Sequence, residues 1–153
     1  MGLNHRFLRM ECALFYHLII GMMSETKDIK SVEDIKLFVD SFYGLVKTDD
    51  LLGPIFFERI ANHWQPHLEK MYQFWSAALL GIPGYRGAPF PPHASMQLEE
   101  RHFHQWLHLF EKTLATHFEG PVANDALERA KLMARLFLVR IQSMDNKSVI
   151  PIY

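Results

Sequence analysis

A single imidazole, His93, follows a stretch that Pro and Gly keep out of helix: Gly81-Ile82-Pro83-Gly84-Tyr85-Arg86-Gly87-Ala88-Pro89-Phe90-Pro91-Pro92. Pro fixes φ and restricts the chain, so this histidine is presented from a constrained backbone. Imidazole is the commonest protein ligand for metals. Aromatic-rich helical segments on either side carry Tyr43, His67 and Trp106. One fixed imidazole, apolar walls and a few polar groups opposite are what a metal-bound cofactor held between helices requires. Each residue taken singly has a plainer reading. His93 alone is a surface-loop histidine, Tyr43 a core tyrosine with its hydroxyl at the boundary, and Trp106 ordinary core.

The other histidines offer less. His63 and His67, and His104 and His108, are spaced four apart, which suits zinc on a helix. His104 and His108 fall off the Phe103/Trp106/Phe110 stripe, by about 100–140° at about 100° per residue, and read as a solvated face. His63 and His67 bracket Pro66 with no carboxylate at a neighbouring ligand position, which argues against closed zinc. His117 lies on the apolar stripe near a helix end and reads as packing. No Gly-x-Ser-x-Gly elbow, phosphate-cradling glycine loop or cysteine cluster is present.

The elements that must position these groups read as helices. Ser31-Val32-Glu33-Asp34 resembles a capping box. Val32, Ile35, Phe38, Phe42 and Val46 then recur at helical spacing, until Asp49-Asp50 and Gly53-Pro54 stop the run. Ile55-Phe56-Phe57 forms a short apolar knuckle. A second helix is predicted over about 62–80, with Pro66 confined to its first turn. Its inner face is Trp64, His67, Met71, Phe74 or Trp75, and Ala78. A third helix covers about 98–118, with Phe103, Trp106, Leu107, Phe110 and Leu114 inward. Gly120-Pro121 breaks the chain. A fourth covers about 122–142, with Ala126, Ala130, Met133, Phe137 and Ile141 inward. Residues 145–153 read as a loose tail. No strand alternation, hairpin signal or internal repeat is present, so the fold class is all-α with four main helices.

Composition agrees. The chain has 153 residues, 49% hydrophobic and 13% aromatic, which is ample for one buried core. A net charge of −1 gives no electrostatic footprint for nucleic acid or an anionic membrane. The lone Cys12 excludes an intrachain disulfide framework and fits a reducing, cytoplasmic setting. The apolar run 13–23 is too short to span a bilayer and lacks a small-residue cleavage site. Met23-Ser24-Glu25-Thr26-Lys27 reads as an ordinary polar start. Residues 1–22 are therefore expected to be an extension to a domain covering 23–144.

Taken together, the residues fall into a recognisable order. Phe42-Tyr43 leads to Leu52-Gly53-Pro54-Ile55-Phe56, then Trp64-x-x-His67, Phe74-Trp75 and Leu80-Gly81, a loop ending in His93, and Phe103-x-x-Trp106-Leu107-x-Leu109-Phe110. Over about 31–141 this set resembles the truncated haemoglobins, specifically group III. The resemblance implies a reduced, 2-on-2 globin fold: two helix pairs sandwiching haem, with an extended loop in place of the usual proximal helix. It makes His93 the proximal iron ligand and Tyr43, His67 and Trp106 the distal groups. Phe56 then packs on the haem, with Met71, Phe74 and Trp75 along one wall. The lack of Gly-Gly helix-end motifs fits the same group. Ala94-Ser95-Met96-Gln97 departs from the pattern, which leaves Arg86 and Arg101 as the candidates for the haem carboxylates. The implied cofactor is haem b, and the implied ligands are dioxygen, NO and CO. The implied role is binding of such gases. The alternative is NO dioxygenation or peroxidase-like chemistry with an external reductase.

Overall fold

The computed structural model describes residues 26–147. The expectations for residues 1–22, for Cys12 and for the end of the tail fall outside that range. Six helices follow in order: α1 (Val32–Thr48), α2 (Gly53–Ile60), α3 (Trp64–Leu80), α4 (Pro91–Ala94), α5 (Glu100–His117) and α6 (Pro121–Lys147). Among the described residues there is no strand, only an isolated bridge between Lys27 and Phe118. The fold is all-α. Helix α1 packs on α3 and α5, and α5 packs on α6, giving two helix pairs about a shared interior.

The start of α1 is the capping box read from the sequence. The Ser31 hydroxyl accepts from the Asp34 amide at 3.2 Å, and the Asp34 carboxylate accepts from the Ser31 amide at 3.0 Å. Lys27 Nζ adds an ion pair to Asp34 at 2.7 Å. The inward face of α1 is Ile35, Phe38, Val39, Phe42 and Val46, all buried. Phe38 is fully buried and meets Trp75 of α3 at 5.7 Å and Phe110 of α5 at 4.9 Å, edge-on to both. A phenylalanine buried this way contributes about 1.5–3 kcal/mol, so this trio joins three helices in one cluster.

Three local expectations need correction. The apolar knuckle at Ile55-Phe56-Phe57 is a full helix, α2. The turn before it is held by Asp49, whose side chain accepts from the Leu51 and Leu52 amides at 3.0 and 2.8 Å, and Pro54 needs no amide in the first turn. The loop before His93 does not stay extended to the end. Pro91 and Pro92, whose φ is preset for helix and whose missing N–H groups are not needed there, open the one-turn helix α4 that carries His93. Helix α6 reaches Lys147, past the expected end at 142 and into the expected tail, because no Gly or Pro interrupts that stretch. Helix α3 begins at Trp64, with Pro66 in its first turn, and ends on Gly81 in the left-handed conformation at φ 66°. No described helix is long and apolar enough to cross a membrane.

Candidate functional site

A cavity of about 460 Å³ lies between the helix pairs. Helix α1 brings Phe42 and Tyr43 to it, α2 Phe56 and Arg59, and α3 His67, Lys70, Met71, Phe74 and Trp75. Helix α4 brings His93, α5 His102, Phe103 and Trp106, and α6 Met133, Ala134 and Phe137. The periodicity that buries each helix face thus aims these groups at one space. Its walls are mostly aromatic and aliphatic, and its volume falls in the range of small-molecule and cofactor sites.

His93 is held at both ends. Its Nδ1 lies 2.7 Å from the Pro89 carbonyl oxygen. A carbonyl only accepts, so Nδ1 carries the proton and Nε2 keeps its lone pair. The Phe137 ring lies 5.0 Å from the imidazole. Burial lowers the His93 pKa, against the pull of the Pro89 carbonyl, and the Arg59 charge adds to the lowering. A neutral imidazole with a free Nε2 is the form that ligates metal.

Tyr43, His67 and Trp106 line the same cavity. Tyr43 is buried and stands edge-on to His67, with ring centroids 4.9 Å apart, and to Phe56 at 6.0 Å. Burial pushes its phenol pKa up, so the hydroxyl stays a donor. Trp106 stacks on Phe110 at 5.0 Å and meets Phe42 at 5.2 Å. Burial, then the neighbouring His93 and Lys70, hold the His67 pKa down at about 4. His67 Nε2 is buried with no hydrogen-bond partner. A buried polar atom left unpaired costs about 1–3 kcal/mol, which a ligand in the cavity relieves. An apolar slot, a neutral imidazole with Nε2 uncommitted and an orphaned polar atom in the wall all fit an iron porphyrin.

Phe56, Met71, Phe74 and Trp75 stand in the cavity wall. Arg86 and Arg101 do not. Arg86 is exposed on the loop, and Arg101 is exposed and paired with Glu99 at 3.2 Å. The cations that do line the cavity are Arg59 and Lys70, both exposed and neither in an ion pair among the described residues. A signal for both was available: Arg59 is three residues past Phe56 and Lys70 three past His67, and residues three apart share a helix face. His102 was also missed. It is only 6% exposed and lines the cavity, and its Nδ1 accepts from the Glu99 amide at 2.8 Å. His104 and His108 are exposed, and no group of three or more potential metal ligands occurs among the described residues.

Comparison with known proteins agrees with the fold. The bacterial-like globin family model matches residues 28–139. The group 3 truncated haemoglobin of Campylobacter jejuni is 34% identical over 109 residues, covering 69% of this chain and 86% of that protein. The crystal structure of the group III truncated haemoglobin from the same species superposes with a TM-score of 0.71 at 31% identity. That match covers 76% of this chain and 94% of the other.

Proposed function

Since this chain belongs to the bacterial-like globin family, among the group III truncated haemoglobins, we propose that it binds haem b and captures dioxygen and related diatomic gases. The observation that carries the proposal is the pairing across one cavity. His93 has Nδ1 committed to Pro89, and His67 has a buried Nε2 with no partner. When bound, haem would supply an iron able to bind a diatomic gas.

The chain's own groups divide the remaining work. His93 would hold the iron through Nε2, and the Pro89 carbonyl and the Phe137 ring fix the plane of that imidazole. Phe56, Met71, Phe74 and Trp75 would give haem apolar walls and exclude water. Arg59 and Lys70 receive the carboxylates at the cavity wall, in place of Arg86 and Arg101. The Tyr43 hydroxyl and the Trp106 indole N–H donate to the captured gas. His67 stays neutral and supplies or accepts one further hydrogen bond. A donor to a partly charged acceptor contributes about 1–3 kcal/mol, and each 1.4 kcal/mol is about tenfold in affinity. One or two such bonds retain dioxygen roughly ten- to a hundredfold longer, which suits capture over carriage.

Titration of the purified chain with haemin tests this. A stoichiometric Soret band is expected for the wild type. His93→Gly is expected to lose stable haem retention and to regain the band with added imidazole. A His93→Gly protein with a wild-type spectrum and no added imidazole overturns the assignment. Mixing the oxygenated protein with nitric oxide, with and without an external reductant, separates capture from catalytic turnover.

A further inference from the structure

Trp64 does not line the cavity, yet it touches both of the distal rings that do. Its ring lies 6.3 Å from Tyr43 and 6.3 Å from His67, edge-on to each. Over the same indole stands Lys47 Nζ, 4.2 Å from the ring centroid. Lys47 is one helical turn past Tyr43 on α1, whereas Trp64 is the first residue of α3. The contact therefore ties two helices together directly behind the polar side of the cavity.

The first turn of α3 has little else to hold it. His63 at the cap position makes no side-chain hydrogen bond, and no acidic residue lies in the first turn to meet the helix dipole. Ala61, just before it, sits at φ 46°, a conformation unfavourable for any residue but glycine. His67, one turn on, depends on this poorly capped start, and its amide is bonded to the His63 carbonyl at 3.0 Å.

We propose that Trp64, secured by Lys47, is the positioning residue of the distal wall. It holds the first turn of α3 against α1 and so sets where His67 and Tyr43 stand in the cavity. The idea rests on the reading of those two residues as ligand-facing, so its test has one arm that needs haem and one that does not.

The first arm is hydrogen exchange at the His67 amide of the full chain. The second is the infrared C–O stretch of the carbonyl form of the haem-loaded chain. Lys47→Met keeps the apolar stem and removes the charge. It is expected to raise His67 exchange about two- to fivefold, the size of one exposed cation–π contact, and to shift or split the C–O band. Lys47→Arg is expected to restore both readouts. In a Trp64→Leu background, Lys47→Met is expected to add nothing. Unchanged exchange in Lys47→Met overturns the proposal, as does an equal Lys47→Met effect without the indole. Faster exchange with an unmoved C–O band overturns it too, because Trp64 is then merely structural. A chain that takes up no haem defeats the haem reading alone, and the exchange arm still decides the tie between the helices.

Discussion

At the residue scale, the site depends on side chains whose polar atoms are kept free of protein partners. The Tyr43 hydroxyl makes no hydrogen bond among the described residues, although the residue is only 6% exposed. Tyr43→Phe removes that hydroxyl and keeps the ring contacts to Phe42, Phe56, Trp64 and His67. The haem-loaded variant is expected to release dioxygen about tenfold faster with little loss of fold stability. Flash photolysis or stopped-flow exchange with carbon monoxide measures it, and an unchanged off-rate removes Tyr43 from the site. That His93, Tyr43, His67 and Trp106 share one cavity was legible because their types and order are informative. Arg59, Lys70 and His102 were passed over, since charged and imidazole side chains on helices are usually solvated, and the i+3 spacing of Arg59 from Phe56 and of Lys70 from His67 is a weak cue against that.

At the element scale, what the sequence expressed was local chemistry. Ser31 through Asp34 announced a helix start, and the structure holds a capping box there. Apolar spacing placed the inner faces of the long helices. Expectation failed where two cues competed. Ile55-Phe56-Phe57 is too short a run to show helical period, and the turn that leads into α2 is held by Asp49, which lies outside it. Burial alone would raise the Asp34 pKa. The Lys27 ammonium, the Lys30 amide and the Ser31 hydroxyl override it and hold the carboxyl at about 2, against 3.8 ordinarily. A depressed carboxyl stabilises fully above its unfolded pKa and loses that contribution as pH falls toward its folded pKa. Asp34→Asn is therefore expected to lower stability near neutral pH by roughly 1 kcal/mol, given an exposed Lys27, and to flatten the acid limb between about pH 4 and pH 2. Denaturant melts across that window measure it, and wild-type-like slopes there contradict it.

At the scale of the whole molecule, the described chain closes on itself. The Asp28 carboxylate accepts from the Val122 and Ala123 amides at 3.0 and 2.9 Å and so caps α6. The Glu119 amide donates to the Lys27 carbonyl at 3.2 Å, and Thr26 donates to Glu119 at 2.9 Å. Gly120, at φ 151°, is pressed so close that a Cβ there would stand 2.4 Å from Asp28 Cγ. None of this was visible in the sequence, because the cap and its helix lie 94 residues apart. The distance also dictates timing. Joining the segment before α1 to the start of α6 means closing a loop of 94 residues, and loop closure costs entropy before the contact repays any of it. The cap on α6 is therefore expected to form late, after the folding barrier. Asp28→Ala is thus expected to leave the refolding rate near wild type and to speed unfolding about fivefold, as read from the two arms of a denaturant chevron.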